Sequence, residues 1–578
     1  MRVVATAGHV DHGKSALVER LTGVHPDRWA EERRRGLTID LGFGHTTVTA
    51  SDGSAHEVSL VDVPGHVRFL RNMLAGVGAV DACMFVVDAG EGWKPQSEEH
   101  LRILQLLGIG HGIVVLTKRD LVDDDLLELQ ELDVRDHLAG TFLADAPVVA
   151  VSTLPGFEPT LDALRAVLAD LAARTPAAAD RDRPRLWIDR VFAARGSGTV
   201  VTGTLTGGSL RVDQQVVAGH RPVRIRGLQS HGAAREQVGP GSRVAVNLAG
   251  IDHTELHRGD AVIDRAQWRP TRRFDARLEV LASLDHAVTR RGSYLAYIGS
   301  GEFPVRLRVL GTESLTPGTH GSVRLHLLAE SPLPLLPGDR FVLRESGRDE
   351  TVGGGEVLDV QPRRPAARAR PDRSVDRVIA EHGWIDVEDL EALTGERREP
   401  TVGTMVVDPA ALDTTIAIVR TRVADAGDAG LDIALLEPRE RGVLPLLDDL
   451  TVESGRVRAA AARDPFATHP VREQVRLGGC APPDAATLDR AAVRELVRRG
   501  LLVERDGLVF HPDAIDVAAL AAARLLSASP TGFTVSEFRE ALGITRKHAV
   551  PLAAELDARG ITRRREDRRI AGPRLPSP

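Results

Sequence analysis

Short apolar runs alternate with helix-like amphipathic stretches over the first 174 residues. The runs are RVVATA, VSLVDV, ACMFVVDA, GIVVLT and APVVAVS. Strands that alternate with helices along a chain form a parallel sheet covered by helices. The pattern therefore predicts an α/β domain over residues 1–174.

The pattern changes after RTPAAADRDRP, residues 174–184, whose composition is typical of a linker. In the following segment, apolar residues recur at every second position and the runs are separated by Gly and Pro turns. These alternating residues include Val223, Ile225, Val244, Val246, Leu248, Val305, Leu307 and Val309. The alternation predicts two small β-barrels or sandwiches, at 185–268 and 269–362.

A second linker, QPRRPAARARPDR at 361–373, precedes a different pattern in which short helices are followed by hairpin-like ends. This cycle occurs four times, and each repeat has about the size of a winged helix. The repeats are placed at 373–408, 409–463, 464–512 and 513–578. The predicted fold class is thus multidomain: an α/β domain, two β-barrels and tandem winged-helix domains.

Charge, hydropathy and cysteine content exclude several classes of protein. The net charge of -7 over 578 residues argues against a globally basic nucleic-acid-binding protein. The N-terminus enters a strand directly, and no apolar run reaches about 18 residues, so a soluble cytoplasmic protein without membrane contact is expected. The two cysteines, Cys83 and Cys480, lie far apart and indicate neither a disulfide framework nor a zinc site.

Only four of the 74 basic residues are lysines, and one of them, Lys14, lies in AGHVDHGKS. This segment satisfies G-x-x-x-x-G-K-S between a strand and a helix-like stretch, which is the context of a phosphate-binding P-loop. Its glycines let backbone amides approach phosphates, the lysine ammonium reaches phosphate oxygens, and the serine hydroxyl binds Mg²⁺. The predicted phosphate-binding residues are Gly8, His9, Val10, Asp11, His12, Gly13, Lys14 and Ser15.

Two further motifs concern the phosphates and the metal. In DVPGH, Asp62 is placed to hold a water on Mg²⁺, and the amide of Gly65 to meet the γ-phosphate. In RGLTIDLGF, the hydroxyl of Thr38 is a third candidate for Mg²⁺. The expected cofactors are therefore GTP or GDP with Mg²⁺, once the base is identified as guanine.

The base is identified by TKRD, which follows another strand. The carboxylate of Asp120 suits the donors on guanine N1 and N2, and Lys118 packs along the base, with Thr117 before it. Backbone amides of Ser152 and Thr153, at the end of the next strand, are placed to bind guanine O6. Because the motifs occur in the order that a GTPase requires, the first domain is predicted to be a GTPase.

The segments GHVDHGKS, RGLTID, DVPGHVRFLRNML and PQSEEHL resemble translational GTPases of the elongation factor Tu class. TIDLGF and TKRD are more narrowly similar to the bacterial selenocysteine-specific elongation factors. The resemblance implies that His66 positions the water that attacks GTP, and that Val10 and Leu37 form an apolar gate in front of it. At Thr117 the general pattern has asparagine, so a loss of bracing in the pocket and moderately weaker nucleotide binding are expected.

In this family the barrels hold the acceptor end of aminoacyl-tRNA against the GTPase domain. The segments IDRVF and GSRVAVNLAG match those that supply the amino-acid pocket, which places Asp189, Arg190 and Arg243 there, with Phe43 closing it. We call these four residues the selenocysteine pocket. Arginines favour an ionised selenolate over a neutral serine hydroxyl. The alternative is that Arg190 and Arg243 are ordinary surface charges or ion pairs.

The C-terminal repeat is locally basic, with seven arginines against three acidic residues between 556 and 574. We call the candidate RNA-binding residues of this repeat the terminal basic surface: Arg546, Lys547, His548, Arg563, Arg564 and Arg565. In the family, this module binds the stem-loop of the messenger RNA that marks selenocysteine insertion. A merely solvated basic terminus and binding of duplex DNA remain open from the residues alone.

The resulting hypothesis is a monomeric GTPase that delivers selenocysteinyl-tRNA to the ribosome at UGA codons marked by a messenger RNA stem-loop. The middle winged helices are expected to act as a spacer. A general elongation or initiation GTPase would leave the appended repeats unexplained, and a GTP-switched DNA-binding regulator would leave the barrels unexplained. No role is assigned to Lys94.

Overall fold

The computed structural model describes residues 1–26, 38, 40–65, 72–73, 80–194, 198–329, 331–460 and 466–577. These residues separate into two compact units, Met1–Asp408 and Pro409–Pro578. None of the described helices combines the length and the apolar composition needed to cross a bilayer.

The N-terminal domain is a six-stranded sheet with the strand order β2-β3-β1-β4-β5-β6, in which only the β2–β3 pair is antiparallel. Its strands are β1 (Arg2–Ala7), β2 (Gly42–Thr49), β3 (Ala55–Asp62), β4 (Ala82–Asp88), β5 (Gly112–Thr117) and β6 (Val148–Ala150). The described helices are α1 (Lys14–Thr22), α2 (Pro95–Leu106), α3 (Asp124–Leu138) and α4 (Glu158–Arg174). The central strands β4 and β5 are buried along their whole length, as expected for strands covered on both faces.

The first barrel closes through the order β10-β15-β7-β8-β14-β11, with β12 added beside β11. Its strands are β7 (Arg185–Ala194), β8 (Gly198–Thr206), β9 (Leu210–Arg211), β10 (Gln215–Ala218), β11 (Arg221–Ser230), β12 (Ala233–Arg235), β13 (Gln237–Val238), β14 (Ser242–Ala249) and β15 (Ala261–Ile263). Alternate residues of β14 form its core, including Val244, Val246 and Leu248.

The second barrel is closed in the order β16-β21-β19-β18-β22-β23. Its strands are β16 (Arg273–Val280), β17 (Val288–Thr289), β18 (Tyr294–Ile298), β19 (Gly301–Val309), β20 (Ser314–Leu315), β21 (His320–Leu327), β22 (Arg340–Glu345) and β23 (Glu350–Asp359). The prediction of two barrels is confirmed, and the alternating residues Val305, Leu307 and Val309 all lie in the core of the second one.

The first winged-helix repeat belongs to the same compact unit as the barrels. It consists of α5 (Val375–His382), β24 (Trp384–Asp386), α6 (Val387–Thr394) and β25 (Met405–Val407). Val378, Leu390 and Leu393 of its helices pack into one hydrophobic core with the second barrel. This repeat is therefore an extension of the barrel rather than a free module.

The second unit contains the remaining repeats. Its elements are α7 (Pro409–Asp425), β26 (Leu431–Asp432), α8 (Pro438–Gly442), β27 (Leu450–Glu453), β28 (Arg456–Ala459), α9 (Pro470–Gly478), α10 (Arg490–Arg498), β29 (Val503–Arg505), β30 (Leu508–Phe510), α11 (Pro512–Ala528), β31 (Phe533–Thr534), α12 (Val535–Leu542), α13 (Arg546–Ala558), β32 (Thr562–Arg565) and β33 (Arg568–Ala571). In the last repeat, α12 and α13 are followed by the β32–β33 hairpin, which is the helix-turn-helix and wing of a winged helix.

Candidate functional site

The loop between β1 and α1 holds a buried lysine. The ammonium of Lys14 donates to the carbonyl oxygens of Gly8, at 3.0 Å, and His9, at 2.5 Å. Burial lowers the pKa of Lys14 to about 8, although the nearby carboxylates of Asp62 and Asp11 act in the opposite direction. A buried cation of this kind is stabilised by an anionic ligand, so the loop is suited to phosphate.

Close packing around this loop requires glycine at two positions. A Cβ atom on Gly8, whose φ is +134°, would lie 2.0 Å from the carbonyl oxygen of Val86. A Cβ atom on Gly65 would lie 2.5 Å from Lys14 Nζ and 2.7 Å from the amide nitrogen of Val10. The backbone of the DVPGH motif is thereby placed directly against the P-loop.

Three oxygen ligands converge beside the lysine. The Ser15 hydroxyl lies 2.7 Å from Asp62 Oδ2 and 2.7 Å from the Thr38 hydroxyl. The Thr6 hydroxyl donates to Asp62 Oδ1 at 2.9 Å and fixes that carboxylate. Hydroxyl and carboxylate oxygens are the ligands that Mg²⁺ prefers, so the residues present fit this ion.

Two buried histidines bind backbone amides around this loop. His12 was predicted only as a member of the phosphate-binding loop, and His100 was not predicted. Nδ1 of His100 accepts the Gly8 amide at 3.0 Å, and Nδ1 of His12 accepts the Asp88 amide at 3.2 Å. Burial lowers the pKa of His100 to about 3 and that of His12 to about 4, so both rings are neutral at physiological pH. The Gly8 amide is thus engaged within the protein, and phosphate contacts fall to the amides further along the loop.

Thr117 connects the guanine side of the site to the P-loop. Its hydroxyl donates to the carbonyl oxygen of His12 at 2.7 Å, so it ties the end of β5 to the loop. Threonine therefore retains one contact to the loop, and the weaker nucleotide binding expected from the absence of asparagine stays a prediction.

The predicted guanine-binding residues lie together at the ends of β5 and β6. The ammonium of Lys118 lies 2.6 Å from Asp88 Oδ2. Burial opposes ionisation of Asp88, but Lys118 and the backbone amide of Gly90 hold its pKa below the usual value. Asp120 is half-buried, and within the described parts of the chain no group donates a hydrogen bond to its carboxylate.

The two predicted O6 donors differ in this structure. The amide of Ser152 donates to the Thr160 hydroxyl at 3.2 Å, whereas Thr153 is half-buried beside it. The Ser152 amide is therefore already engaged, which leaves Thr153 as the better placed of the two. Asp88 was missed in the sequence, although an acidic residue ending a buried strand is a recognisable signal.

The residues predicted to form the selenocysteine pocket lie between the GTPase domain and the first barrel. Asp189 is the extra residue of a β-bulge in β7, because Ile188 pairs with Gly203 and Arg190 already with Thr202. A bulge breaks the alternation of a strand and redirects its side chains, often next to functional sites. The bulge therefore sets the directions of two pocket residues that are adjacent in the chain.

Arg243 and Asp189 form a bidentate ion pair within this pocket. Arg243 Nη1 lies 2.6 Å from Asp189 Oδ2, and Arg243 Nη2 lies 2.9 Å from Asp189 Oδ1. Their side chains are only 15% and 6% exposed, and the Thr202 hydroxyl donates to Asp189 Oδ1 at 2.7 Å. The carboxylate is thus fully engaged in holding the guanidinium in one orientation.

Arg190 does not pair with the adjacent Asp189 but with the carboxylate of Asp40. Its Nη2 donates to Asp40 Oδ2 at 3.1 Å and to the Leu41 carbonyl oxygen, so it links the barrel to the chain leading into β2. Both guanidinium groups lie over the ring of Phe43, with Cζ to centroid distances of 3.3 Å for Arg243 and 4.9 Å for Arg190. The four predicted residues are therefore in one place, together with Asp40 and Thr202, which the sequence did not indicate.

The contact between the two domains continues beside the pocket. The imidazole rings of His45 and His231 stack with centroids 4.5 Å apart, and His231 Nε2 lies 2.9 Å from the Ser59 hydroxyl. Burial, and next the proximity of His45, lowers the pKa of His231. Neutral histidine is therefore favoured where the barrel meets the GTPase domain.

The terminal basic surface lies at the start of α13 and on β32. Arg546, Lys547, Arg563, Arg564 and Arg565 are exposed. Lys547 Nζ lies 3.2 Å from Asp484 Oδ2, and the Thr545 hydroxyl lies 3.0 Å from His548 Nδ1. Burial, followed by the charge of Lys547, lowers the pKa of His548.

Two of the predicted residues, His66 and Leu37, lie outside the described residues. Val10 is described, and its amide donates to Gln96 Oε1 at 3.3 Å. The roles assigned to the attacking water and to the apolar gate stay predictions.

Three family models match separate parts of the chain. Residues 1–176 match the model of the elongation factor Tu GTP binding domain. Residues 275–364 match the selenocysteine-specific elongation factor β-barrel domain, and residues 524–571 match the winged helix of elongation factor SelB.

Curated relatives carry the name selenocysteine-specific elongation factor. The chain is 39% identical to the factor of Desulfomicrobium baculatum over 360 residues, which cover 62% of this chain and 55% of that protein. It is 34% identical to that of Escherichia coli (strain K12) over 404 residues, covering 67% and 62%. The matched region thus spans about 55–62% of the length of these relatives.

Solved structures extend the likeness in fold to the whole chain. The crystal structure of a bacterial selenocysteine-specific elongation factor, EF-Sec, matches with a TM-score of 0.73 at 23% identity and covers 99% of both chains. A selenocysteine factor from Methanococcus maripaludis, in complex with the GTP analogue GppNHp, matches with a TM-score of 0.52 at 22% identity, covering 63% of this chain and 80% of the other.

Proposed function

Because the chain belongs to the selenocysteine-specific elongation factors, we propose that it carries selenocysteinyl-tRNA to the ribosome in a GTP-dependent way. It does so at UGA codons marked by a messenger RNA stem-loop, and GTP hydrolysis follows codon recognition. The observation that carries the proposal is the selenocysteine pocket, a bidentate Arg243–Asp189 pair and a second arginine over Phe43, adjoining a domain that contains a P-loop.

The nucleotide is held by the residues that the fold brings together. Lys14 supplies a buried positive charge to the phosphates, and Thr117 keeps the loop in position against β5. Asp120 reads the guanine edge, and Lys118 is held at the base by Asp88. Mg²⁺, when bound, neutralises charge on the phosphate oxygens, and Ser15, Thr38 and Asp62 are the residues that would hold it.

Cargo selection follows from charge. Among the described contacts, Arg190 bonds only through Nη2 and Arg243 leaves Nε unused, so both retain N–H donors for an anionic ligand. A selenolate accepts charge-assisted hydrogen bonds from these donors, whereas a serine hydroxyl brings no charge to them. A hydrogen bond to a charged group contributes about 1.5–3 kcal/mol, which is a factor of about 10–150 in affinity.

The remaining parts of the proposal concern hydrolysis and RNA. His66 orders the attacking water, with Val10 and Leu37 as the gate, and the terminal basic surface binds the stem-loop. One copy of the chain contains the GTPase domain, the pocket and the winged helices, so we propose that it acts as a monomer.

The test is protection of the aminoacyl ester. Purified protein with GTP or GDP is mixed with selenocysteinyl-tRNA, with seryl-tRNA of the same body, or with an ordinary elongator aminoacyl-tRNA, and deacylation is followed. Protection of selenocysteinyl-tRNA alone, and only with GTP, is expected. Protection of every aminoacyl-tRNA would make the protein a general elongation factor, and protection of none would contradict the carrier role.

A further inference from the structure

The exposed face of α10, in the third winged-helix repeat, carries two arginines that the functional account has not used. Arg490 and Arg494 are four residues apart, so they lie next to each other on one side of the helix, and both are exposed. The opposite side is buried through Ala492 and Leu496. Within the described residues, neither arginine has an acidic partner.

Two arginines at the end of this helix are paired instead. Arg498 lies 2.7 Å from Glu495 of the same helix and 3.1 Å from Asp432 of the preceding repeat, and Arg499, directly after the helix, lies 2.6 Å from Glu495. Arg490 and Arg494 differ from them because they have no acidic partner among the described residues.

The position of Arg490 does not favour helix stability. It is the first residue of α10, where the helix dipole disfavours a positive charge by about 0.3–1 kcal/mol. Arg546 and Lys547 occupy the same first turn of α13. Arg490 and Arg546 therefore do not stabilise their helices through the dipole, and positive side chains beside the N-terminal amides favour an anionic ligand.

The two helices belong to one body. Leu508 and Phe510 of the third repeat pack into the core of the fourth, with Phe533 and Phe538. Lys547 at the start of α13 bonds Asp484. Asp484 and Arg490 are only six positions apart in the chain, which bounds the distance between their Cα atoms at roughly 20 Å. The basic ends of α10 and α13 therefore lie within reach of a single RNA stem.

We propose that Arg490 and Arg494 bind the phosphodiester backbone of an RNA stem and extend the terminal basic surface into the third repeat. The inference rests on the proposed function, since the stem is that of the hairpin held by α13 and the wing. Double-stranded RNA is bound mainly through its backbone and shape, and a domain can follow about 16 base pairs. The hairpin loop is then held by the fourth repeat and the lower stem by the third.

The probe is a labelled RNA hairpin. It is chosen, from a pool of hairpins with a randomised loop, by its binding to the 578-residue protein. It is made with a stem of about 16 base pairs and with one shortened to about 6 base pairs. Affinity and its salt dependence are measured for the wild type, for Arg490→Gln/Arg494→Gln, and for the control Arg476→Gln, an exposed arginine of the same repeat that is bonded to Glu473. Binding to isolated small ribosomal subunits is measured in parallel.

For the long stem, the double variant is expected to bind at least fivefold more weakly, and the slope of log affinity against log salt to fall by about 2. For the short stem it is expected to match the wild type, and Arg476→Gln to match it for both. Unchanged affinity and slope with the long stem would overturn the inference. Weaker subunit binding with unchanged hairpin binding would move the ligand to ribosomal RNA and likewise overturn it.

The proposed function fails in a different way. If the wild type selects no hairpin and binds neither stem, the messenger RNA role itself is contradicted, together with the extension. If the wild type binds both stems and the double variant binds them with the same affinity and salt slope, the proposed messenger RNA role stands. Only the extension of the surface to Arg490 and Arg494 is then contradicted.

Discussion

The selenocysteine pocket and the terminal basic surface both offer arginine to an anion, but they hold it differently. In the pocket, Arg243 is 15% exposed and fixed by Asp189, and Arg190 is 19% exposed and fixed by Asp40. On the terminal surface, Arg563 and Arg565 are exposed, and within the described residues no acidic group pairs with them. Fixed, partly desolvated charges distinguish ligands by charge and shape, whereas free surface charges add affinity to any phosphate and weaken with salt.

Removing a fixed charge should give the largest effect. Arg243→Ala removes a charged donor for the selenolate and leaves the uncompensated Asp189 carboxylate to repel it, and truncating one partner of a buried charge pair typically costs about 2–5 kcal/mol. We expect selenocysteinyl-tRNA binding to weaken by roughly 30-fold or more. Ester protection over a range of protein concentrations measures this loss.

Arg243→Lys is the matched control because it keeps the charge but cannot form the bidentate pair. It should fall between the wild type and the alanine variant. GTP affinity should stay within about twofold in both variants, since the P-loop residues are not touched; a parallel loss of GTP binding would mean that the variant is misfolded and that the pocket assignment lacks support.

Removing free charges should act through salt dependence instead. Changing Arg563, Arg564 and Arg565 together to glutamine should reduce the salt slope of hairpin binding by about 3. Protection of selenocysteinyl-tRNA should not change. An unaltered salt slope would show that the wing does not contact phosphate.

A smaller effect is expected from a residue that supports the fixed pair. Thr202→Val removes the hydroxyl bonded to Asp189 at little change in shape. Loss of one such hydrogen bond costs about 0.5–1.5 kcal/mol, or about 2–12-fold in selenocysteinyl-tRNA binding. The control is Thr206→Val on the same strand, whose hydroxyl donates to the Arg185 carbonyl oxygen; equal effects from both would remove the support for a specific role of Thr202.

The smallest expected effect is a difference in pH dependence between tRNA binding at the pocket and hairpin binding at the terminal basic surface. The pKa of His231, at the contact between the two domains, is lowered, so its neutral form stabilises that contact. This stabilisation is fully present above pH 6.5, the ordinary histidine pKa, and is lost as the pH falls below that value. His548 also has a lowered pKa, but phosphate favours its protonated form, so hairpin binding should gain over the same range. Between pH 7.5 and 5.5 we expect tRNA binding to weaken and hairpin binding to strengthen, each by a few-fold.

His231→Gln is the variant that checks this prediction. It should lose the part of the pH dependence of tRNA binding that comes from the domain contact, while the pH dependence of hairpin binding stays. If the pH profile of tRNA binding is the same in this variant and the wild type, His231 does not control the contact.

The sequence predicts most of the fold because the fold follows local patterns. The alternation of Val244, Val246 and Leu248 places them in a barrel core, and the P-loop motif falls between β1 and α1 as expected. The first winged helix is less predictable. It has the pattern of a separate repeat, yet its helices share a core with the second barrel, and such long-range packing leaves no local signal.

The pocket shows the same limit at the level of side chains. Arg243 and Asp189 are 54 positions apart, and their pairing depends on the strand register and on a bulge in β7 that no motif announces. Arg190 bonds Asp40 across a domain boundary instead of its neighbour. The bond from the Thr117 hydroxyl to the His12 carbonyl oxygen is likewise absent from the motif, because it depends on how the end of β5 packs against the P-loop.

The central claim is that fixed arginines select the cargo by its charge. The most direct test is the ratio of affinities for selenocysteinyl-tRNA and seryl-tRNA of the same body, measured with GTP for the wild type and Arg243→Ala. We expect a wild-type preference of about tenfold or more, which Arg243→Ala reduces to within about threefold, mainly because the variant binds selenocysteinyl-tRNA more weakly. A variant that binds both forms more weakly and keeps the ratio would contradict the central claim.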